Sequence, residues 1–546
     1  MEGTALSGML EKAKGFVWEG CRSIMEDGPL TPERFLISPC PVSTALAVLA
    51  LMTSPVKYAA GIRNGLQYLE TDRNPDGGWG RTPRSPSDEK STQICETAIT
   101  CGQTGLNPEA IQTAASNISA TWMQDVPRLV LNWPADSPLI KIVECFILSE
   151  TASNIFGDIA FEHLPAVLAL LPPAGRPLIT ALSCIREAAR KKKSRALNSM
   201  VKKLVSCQFP NGAWGEDVMI TSISLLCLYL VGRHPAALAK GTKWLAGVQY
   251  QSGAWPSFNR LTNWDVGLTA FVTRNDLDEN PRLIDECFQF LSARANQDGS
   301  FGTLFPYTFP DLDDTAAAFL GLSALPGSSE QNRDLLSRTS QLLLNSQNLD
   351  GSWGTFPEVT GIPPDCTCHH PIHIKSVDVT IHVMQSLLKS GTDIKSLHLQ
   401  KALWWLAYQQ KWDGSWKSTW YIGSTYATAQ ALELLAERSI WPNARLKARN
   451  WLVAAQKENG SWPIGSSGEC GLALTALLKN SEDPTSPAIR KGLAYMCSLQ
   501  QPDGSFAPAY GSLYASGLYY EDPITECLAV IRAIKAYQIA ASLPNR

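Results

Sequence analysis

The chain has 546 residues, 45% of them hydrophobic, and a formal net charge of -3. A single core stops growing near roughly 250–300 residues, so more than one domain is expected. A balance this close to neutral gives no electrostatic footprint for nucleic acid.

The N-terminal stretch MEGTALSGMLEKAKGF lacks the basic start and apolar core of a secretory signal. The apolar runs ALAVLALM (45–52) and SLLCLYLVG (224–232) are much shorter than the ~18 residues of a membrane span. Fourteen cysteines follow no framework spacing. In a long chain without a signal they read as reduced thiols of a cytoplasmic protein. The basic run REAARKKKSR (186–195) reads as a solvated helix face.

One phrase recurs along the chain: NPDGGWG (74–80), FPNGAWG (209–215), QSGAWP (251–256), NQDGSFG (296–302), NLDGSWG (348–354), KWDGSW (411–416), KENGSW (457–462) and QPDGSF (501–506). Gln208, Gln249, Gln347, Gln410, Gln456 and Gln500 sit at or just before it. The later copies are roughly 40–60 residues apart, the range of repeat architectures. The intervening segments, such as DDTAAAFLGLSAL, STYATAQALELLAER and GLALTALLKN, are rich in Ala and Leu and open with helix-capping residues. Strand-like alternation is missing from them. The Asp-Gly or Asn-Gly pair is a turn, and the Trp or Phe after it folds back as a structural clamp. An all-α ring or barrel of helical hairpins is therefore expected.

The stretch PDLDDTAAAFLGL (310–322) crowds Asp311, Asp313 and Asp314 against the mouth of an apolar helix. By itself this fits an N-cap with acidic decoration. The motif DLDDTA, however, matches the D-x-D-D-T-A signature of class II terpene cyclases, and the repeated Gln…Asp-Gly-Ser-Trp-Gly phrase resembles the QW motif of that superfamily. The resemblance runs over nearly the whole chain and is strongest from about residue 290 onward.

The resemblance implies two α/α-barrel domains of the βγ type. An N-terminal helix within 1–34 would belong to the second barrel, an inserted γ-type barrel would span 35–284, and a β-type barrel carrying the acids would span 285–546. It implies that Asp313 protonates a terminal alkene, with Asp311 and Asp314 as supporting acids. In SVDVTIHVMQSL (376–387), His382 falls at the family's acid-bonding histidine, with Asp378 one helical turn before it. In DGSWKSTWYIGSTYATAQAL (413–432), Trp420 and Tyr426 fall on aromatic positions of the cavity wall. Such rings stabilise carbocations. The tyrosine is also suited to positioning a water that returns the proton.

The cluster DCTCHHPIH (365–373) gathers Cys366, Cys368, His369, His370 and His373. Its spacing fails the zinc pattern of a related fold, so a loop over the site mouth is the expectation and no protein-held metal is assigned. The D-D-x-x-D and N-D-x-x-S-x-x-x-E motifs of class I synthases are absent from the sequence. A substrate diphosphate would therefore survive.

The reading is cyclisation of geranylgeranyl or farnesyl diphosphate to a copalyl- or drimenyl-type diphosphate. Lys417 and Arg260 are candidates for holding the diphosphate, together with Mg2+. The small-molecule isoprenoid is the expected partner, with no nucleic acid and no transmembrane segment. Peripheral membrane contact stays open, although no apolar plateau for it stands out in the sequence. The oligomeric state is left unassigned. A squalene–hopene-type cyclase and a helical-repeat binding scaffold are the alternatives. A scaffold would leave the three acids exposed.

Overall fold

The computed structural model describes residues 3–26, 31–83, 85–122, 176–189, 195–232, 234–258, 260–276, 279–302, 310–324, 330–355, 375–515 and 518–542. The cysteine–histidine cluster at 365–373 lies outside them. The described helices are α1 (Gly3–Met25), α2 (Pro41–Leu51), α3 (Ala59–Thr71), α4 (Glu89–Thr104), α5 (Pro108–Trp122), α6 (Arg176–Ala189), α7 (Arg195–Ser206), α8 (Val218–Val231), α9 (Pro235–Gly247), α10 (Thr262–Thr273) and α11 (Pro281–Arg294). They continue as α12 (Leu312–Ser323), α13 (Glu330–Asn345), α14 (Val377–Lys389), α15 (Leu397–Gln409), α16 (Thr425–Glu437), α17 (Pro442–Ala455), α18 (Ser467–Lys479), α19 (Pro487–Ser498) and α20 (Pro523–Ser542). The described strands are one short antiparallel pair, β1 (Ser512–Ala515) and β2 (Leu518–Tyr520).

Local chemistry marks the starts of many inner and outer helices. Inner helices α4, α8, α12, α14 and α18 open on Asp88, Asp217, Asp311, Ser376 and Ser466, whose side chains accept a backbone N–H of the first turn. Outer helices α9, α11, α17 and α19 open on a proline, which needs no N–H there.

Helices α10, α12, α14, α16, α18 and α20 each pack on the next, and α20 returns to α10, closing a six-helix inner ring. The N-terminal helix α1 packs on α10, α11 and α20 and so joins this second barrel. The first barrel is built around α2, α4, α6 and α8, with α2 buried along its whole length.

The recurring phrase welds each hairpin to the next. The Gln410 amide donates to the carbonyls of Gly414, in its own turn, and Ala444, in α17. Gln208, Gln249, Gln347 and Gln456 repeat this double bond. The Trp416 indole N–H donates to the Leu406 carbonyl ten residues back, and Trp79, Trp214, Trp255, Trp353 and Trp462 do the same. All six indoles are fully buried. The turn glycine has positive φ and lies against the next outer helix; a Cβ on Gly414 would come within 2.6 Å of the Lys447 carbonyl.

Two hydrophobic cores result. One draws on residues from Cys40 to Trp255, the other on residues from Leu6 to Phe35 and from Val266 to Ile534. The division therefore falls between 255 and 266, earlier than the boundary at 284 expected from the sequence. The reason is the turn at 250–253. Gln249 closes the first barrel onto Gly61 of α3, so the helix that follows, α10, already belongs to the second ring. The barrels meet where the Ser38 N–H donates to the Glu521 carbonyl and the Phe258 ring stands edge-on to Tyr520.

Candidate active site

The acids sit at the N-terminal end of the second ring. Asp311 caps α12, and its Oδ1 accepts the N–H groups of Asp313 at 2.8 Å and Asp314 at 3.3 Å. The cap fixes the first turn and faces Asp313 toward α14. Its Oδ1 lies 2.6 Å from His382 Nδ1. On the other side of the imidazole, Nε2 lies 2.9 Å from the Tyr426 hydroxyl. Tyr426 comes from α16, so three adjacent inner helices converge on one ring.

The three acids are not equivalent. Asp314 is buried, and that burial, followed by the charges of Asp311 and Asp313, pushes its carboxyl well above the usual carboxylate range. A proton held on Asp314 would relieve the repulsion of three acids in four positions. The Asp313 carboxyl, unlike that of Asp314, keeps 17% of its surface exposed. For His382, burial lowers the pKa, but the charge of Asp313 and the bond to it outweigh burial and raise it above 6.5. The Tyr426 phenol is buried and held far from ionisation.

A second layer positions these groups. The Trp264 ring lies 5.2 Å from His382, centroid to centroid, and its indole N–H donates to Thr525 Oγ1 across the closing seam of the ring. Tyr421 stacks on Tyr426 with centroids 3.4 Å apart. Asp378, fully buried, accepts the N–H groups of Thr419 at 2.6 Å and Trp420 at 2.9 Å. Burial raises its carboxyl to about 6, against the backbone bond from Trp420 and the charge of His382. Trp420 is thereby fixed twice, since its indole N–H donates to Thr355 Oγ1 at 2.8 Å. Asp265 and Asp522 are also buried beside the acids; burial first, then the charge of Asp522, pushes the Asp265 carboxyl well above the usual carboxylate range.

A cavity in the second barrel reaches Trp264, His382 and Tyr426, then passes Gln385 and Gln430 to Arg532. Asp313 does not line it. Arg532 is held by both oxygens of Glu433, each at 2.6 Å.

The structure thus brings together Asp311, Asp313, Asp314, His382 and Tyr426, with Trp420 nearby. It does not bring Lys417 or Arg260 to this cavity: Lys417 is exposed on the loop after Trp416, and Arg260 is half-buried beside the inter-barrel segment. Sequence reasoning missed Trp264, Thr525 and the Asp265–Asp522 pair, which carry no motif and meet only on ring closure. It placed Asp378 on the His382 face but missed its hold on the 419–420 backbone. Among the described residues no group of three or more His, Cys, Asp or Glu side chains is arranged to hold a metal ion, and no helix is long and apolar enough to cross a membrane.

Comparison with known proteins agrees with this geometry. Residues 292–471, which carry the acids, His382 and Tyr426, match the squalene–hopene cyclase C-terminal domain. The squalene–hopene cyclase of Alicyclobacillus acidocaldarius is 25% identical over 362 residues, 58% of this chain and 56% of that protein. The drimenyl diphosphate synthase of Streptomyces showdoensis is 23% identical over 350 residues, 60% of each. The chain thus spans less than two thirds of the length of these curated relatives. The solved ent-copalyl diphosphate synthase of Streptomyces platensis shares the fold, with a TM-score of 0.55 and 19% identity over 95% of this chain and 99% of that one. By these matches the chain is similar to class II terpene cyclases, most specifically over residues 292–471.

Proposed function

We propose that this class II terpene cyclase relative cyclises a linear prenyl diphosphate by protonating its terminal alkene, and that the diphosphate is retained. The observation that carries the reading is the Asp313–His382–Tyr426 array, with contacts of 2.6 and 2.9 Å in sequence. An alkene is a very weak base, so its donor must be both protonated and strongly acidic. With imidazolium at His382, Nδ1–H donates to Asp313 Oδ1 and Nε2–H donates to the Tyr426 oxygen. Oδ1 is then engaged, and the proton on Oδ2 is the one delivered to the alkene. Loss of that proton leaves a carboxylate beside an imidazolium, a favourable pair at low dielectric.

The cation formed at carbon must be kept from water. Trp420 and Tyr426 offer ring faces toward which its charge is attracted. The chain ends its cyclisation by losing a proton, so the net change is an isomerisation and nothing is consumed.

The diphosphate reading draws support from the class I motifs that the sequence lacks and from the drimenyl diphosphate synthase relative. Geranylgeranyl diphosphate is proposed first and farnesyl diphosphate second. Lys417 and Arg260 remain the proposed diphosphate contacts, acting from outside the cavity behind His382. Mg2+ is proposed to arrive as the counter-ion of the diphosphate. The described residues offer no cluster to hold the ion alone, so no step is assigned to it. A squalene substrate is the second reading, favoured by the family match of residues 292–471 and by the histidine at 382.

The test is incubation with farnesyl diphosphate, geranylgeranyl diphosphate and squalene separately, with Mg2+, followed by dephosphorylation and product analysis. A bicyclic alcohol released only after dephosphorylation is expected. Asp313→Asn should lower kcat at least ~10³-fold, near the upper range for a general acid. A cyclic product from squalene alone would replace the diphosphate reading, and full turnover by Asp313→Asn would end the acid assignment.

A further inference from the structure

Tyr421 stands beside the acid array. Its ring lies on that of Tyr426 with centroids 3.4 Å apart and planes 7° apart. At that separation the rings eclipse with almost no offset. Aromatic pairs left to themselves prefer an offset or edge-on arrangement, with centroids ~4.5–7 Å apart. Something other than the rings therefore fixes this pair.

The backbone around Tyr421 is pinned from two sides. On one, the buried Asp378 carboxyl accepts the N–H groups of Thr419 and Trp420. On the other, the Leu513 N–H donates to the Trp420 carbonyl at 2.8 Å and the Ile422 N–H donates to the Gly511 carbonyl at 2.9 Å, so that Tyr421 pairs with Ser512 of β1. Tyr426 is held across from it by the first turn of α16. Two fixed elements thus press the rings together, and the two hydroxyls bond to each other.

That bond bears on the protons of His382. The Tyr426 hydroxyl has one proton and meets His382 Nε2 at 2.9 Å, Gln430 Nε2 at 3.5 Å and the Tyr421 hydroxyl. The Gln430 amide nitrogen can only donate, and its oxygen faces Gln385 Nε2 at 3.4 Å. Two acceptors are then left for the Tyr426 proton: Nε2 of a neutral imidazole, or the Tyr421 oxygen. An imidazolium has no lone pair on Nε2, so with a charged ring the role falls to Tyr421.

We propose that Tyr421 is a positioning residue: it accepts the Tyr426 O–H and leaves the Tyr426 oxygen free to accept Nε2–H of His382, which favours the imidazolium. The use of that imidazolium rests on the cyclase reading above; the geometry does not. Other groups act on His382 directly. Asp313 from α12 and Asp378 from α14 favour the charged ring, Arg532 from α20 opposes it, and α10 contributes the uncharged Trp264. Tyr421 acts only through Tyr426. Its own phenol is pushed well above its ordinary value, first by burial and then by Tyr426 and Tyr520, so it stays a neutral hydrogen-bond partner.

The test reads His382 without substrate, by NMR titration of the full chain carrying isotope-labelled histidine. The chain has seven histidines, and the His382 signal is the one lost in His382→Gln. Tyr421→Phe keeps the stack and removes the acceptor. The His382 pKa should fall by roughly half to one unit, the worth of one neutral hydrogen bond. The thermal midpoint should stay where it is, and the alkaline limb of kcat/KM should move down with the titration. In a Tyr426→Phe background, Tyr421→Phe should shift His382 no further. A His382 titration that Tyr421→Phe leaves in place or moves upward would overturn the proposal, as would an equal shift in the Tyr426→Phe background. Failure to cyclise any prenyl diphosphate or squalene would overturn the cyclase reading instead, since the titration needs no turnover.

Discussion

The Tyr426 hydroxyl and His382 Nε2 face each other at 2.9 Å, with the phenol neutral and the imidazole buried. The tyrosine oxygen can accept a hydrogen bond from Nε2–H, and so it favours the imidazolium that the proposed chemistry requires. Tyr426→Phe keeps the ring and its stacking on Tyr421 but removes the acceptor. We expect kcat to fall by roughly 10–100-fold, because a hydrogen bond to a charged group is worth ~1.5–3 kcal/mol. KM should move little. Steady-state kinetics on a soluble prenyl diphosphate checks this. An unchanged kcat would show that the tyrosine only packs.

The charge on His382 gives a pH dependence of stated sign. Its pKa is raised above 6.5 in the folded protein, because Asp313 outweighs burial. Stability from the Asp313–His382 contact is therefore fully present below ~6.5 and is lost as pH rises through the folded value. Activity should decline on the alkaline side with a midpoint above 6.5. In Tyr426→Phe that midpoint should move to lower pH. A kcat/KM profile of both proteins tests it, and identical alkaline limbs would exclude His382 as the titrating group.

Asp378 behaves in the opposite way from most structural aspartates. Its folded carboxyl sits at about 6 against an ordinary 3.8, chiefly through burial. A raised carboxyl gives stability that is present below the lower value and lost as pH rises through the higher one. A shift of this size amounts to ~3 kcal/mol, at 1.36 kcal/mol per pKa unit. Asp378→Asn keeps an acceptor for the Thr419 and Trp420 N–H groups without the charge. Thermal melts should show the variant gaining on the parent between about pH 4 and pH 7. A constant difference across that range would mean that Asp378 does not titrate there.

Helices α10 and α12 touch through glycine. A Cβ on Gly321 would lie 2.6 Å from the Gly267 carbonyl, and one on Gly267 would lie 2.5 Å from that of Ala317. This close approach brings the Trp264 backbone N–H to the Asp314 carboxyl at the same end of the pair. Gly321→Ala must push the helices apart. We expect a loss of ~1–3 kcal/mol, the usual cost of overpacking, and a drop in activity larger than that in the second-barrel control Ala494→Ser, which is exposed on α19. Equal activity in the two variants would show that the spacing of α10 and α12 is unimportant for the acids.

What could be read in the sequence depended on how local it was. Asp311, Asp313 and Asp314 share one helical turn, and His382 and Tyr426 each sit in a recognisable segment, so their types and spacing singled them out as candidates that the fold then brings together. Trp264 and Thr525 are 261 positions apart and meet only because α20 closes onto α10. No window along the chain contains that contact. Lys417 adjoins the buried Trp416 and Ser418, yet its own side chain faces solvent. Adjacency to a motif does not give direction. The barrel boundary slipped because the turn at 250–253 looks like every other copy, while its partner in space is α3.

The place of α1 bears on how the protein is made. Its apolar face packs on α10, α11 and α20, the first of which begins only at Thr262 and the last at Pro523. At ~5–20 residues per second, the first helix waits tens of seconds for its neighbours while the first barrel folds between them. During that interval Leu6, Phe16 and Val17, all buried at the end, are open to solvent or to chaperones. The acid-bearing barrel therefore assembles after the first, and its seam joins α1 to α20, helices that lie on either side of the whole first barrel in the sequence.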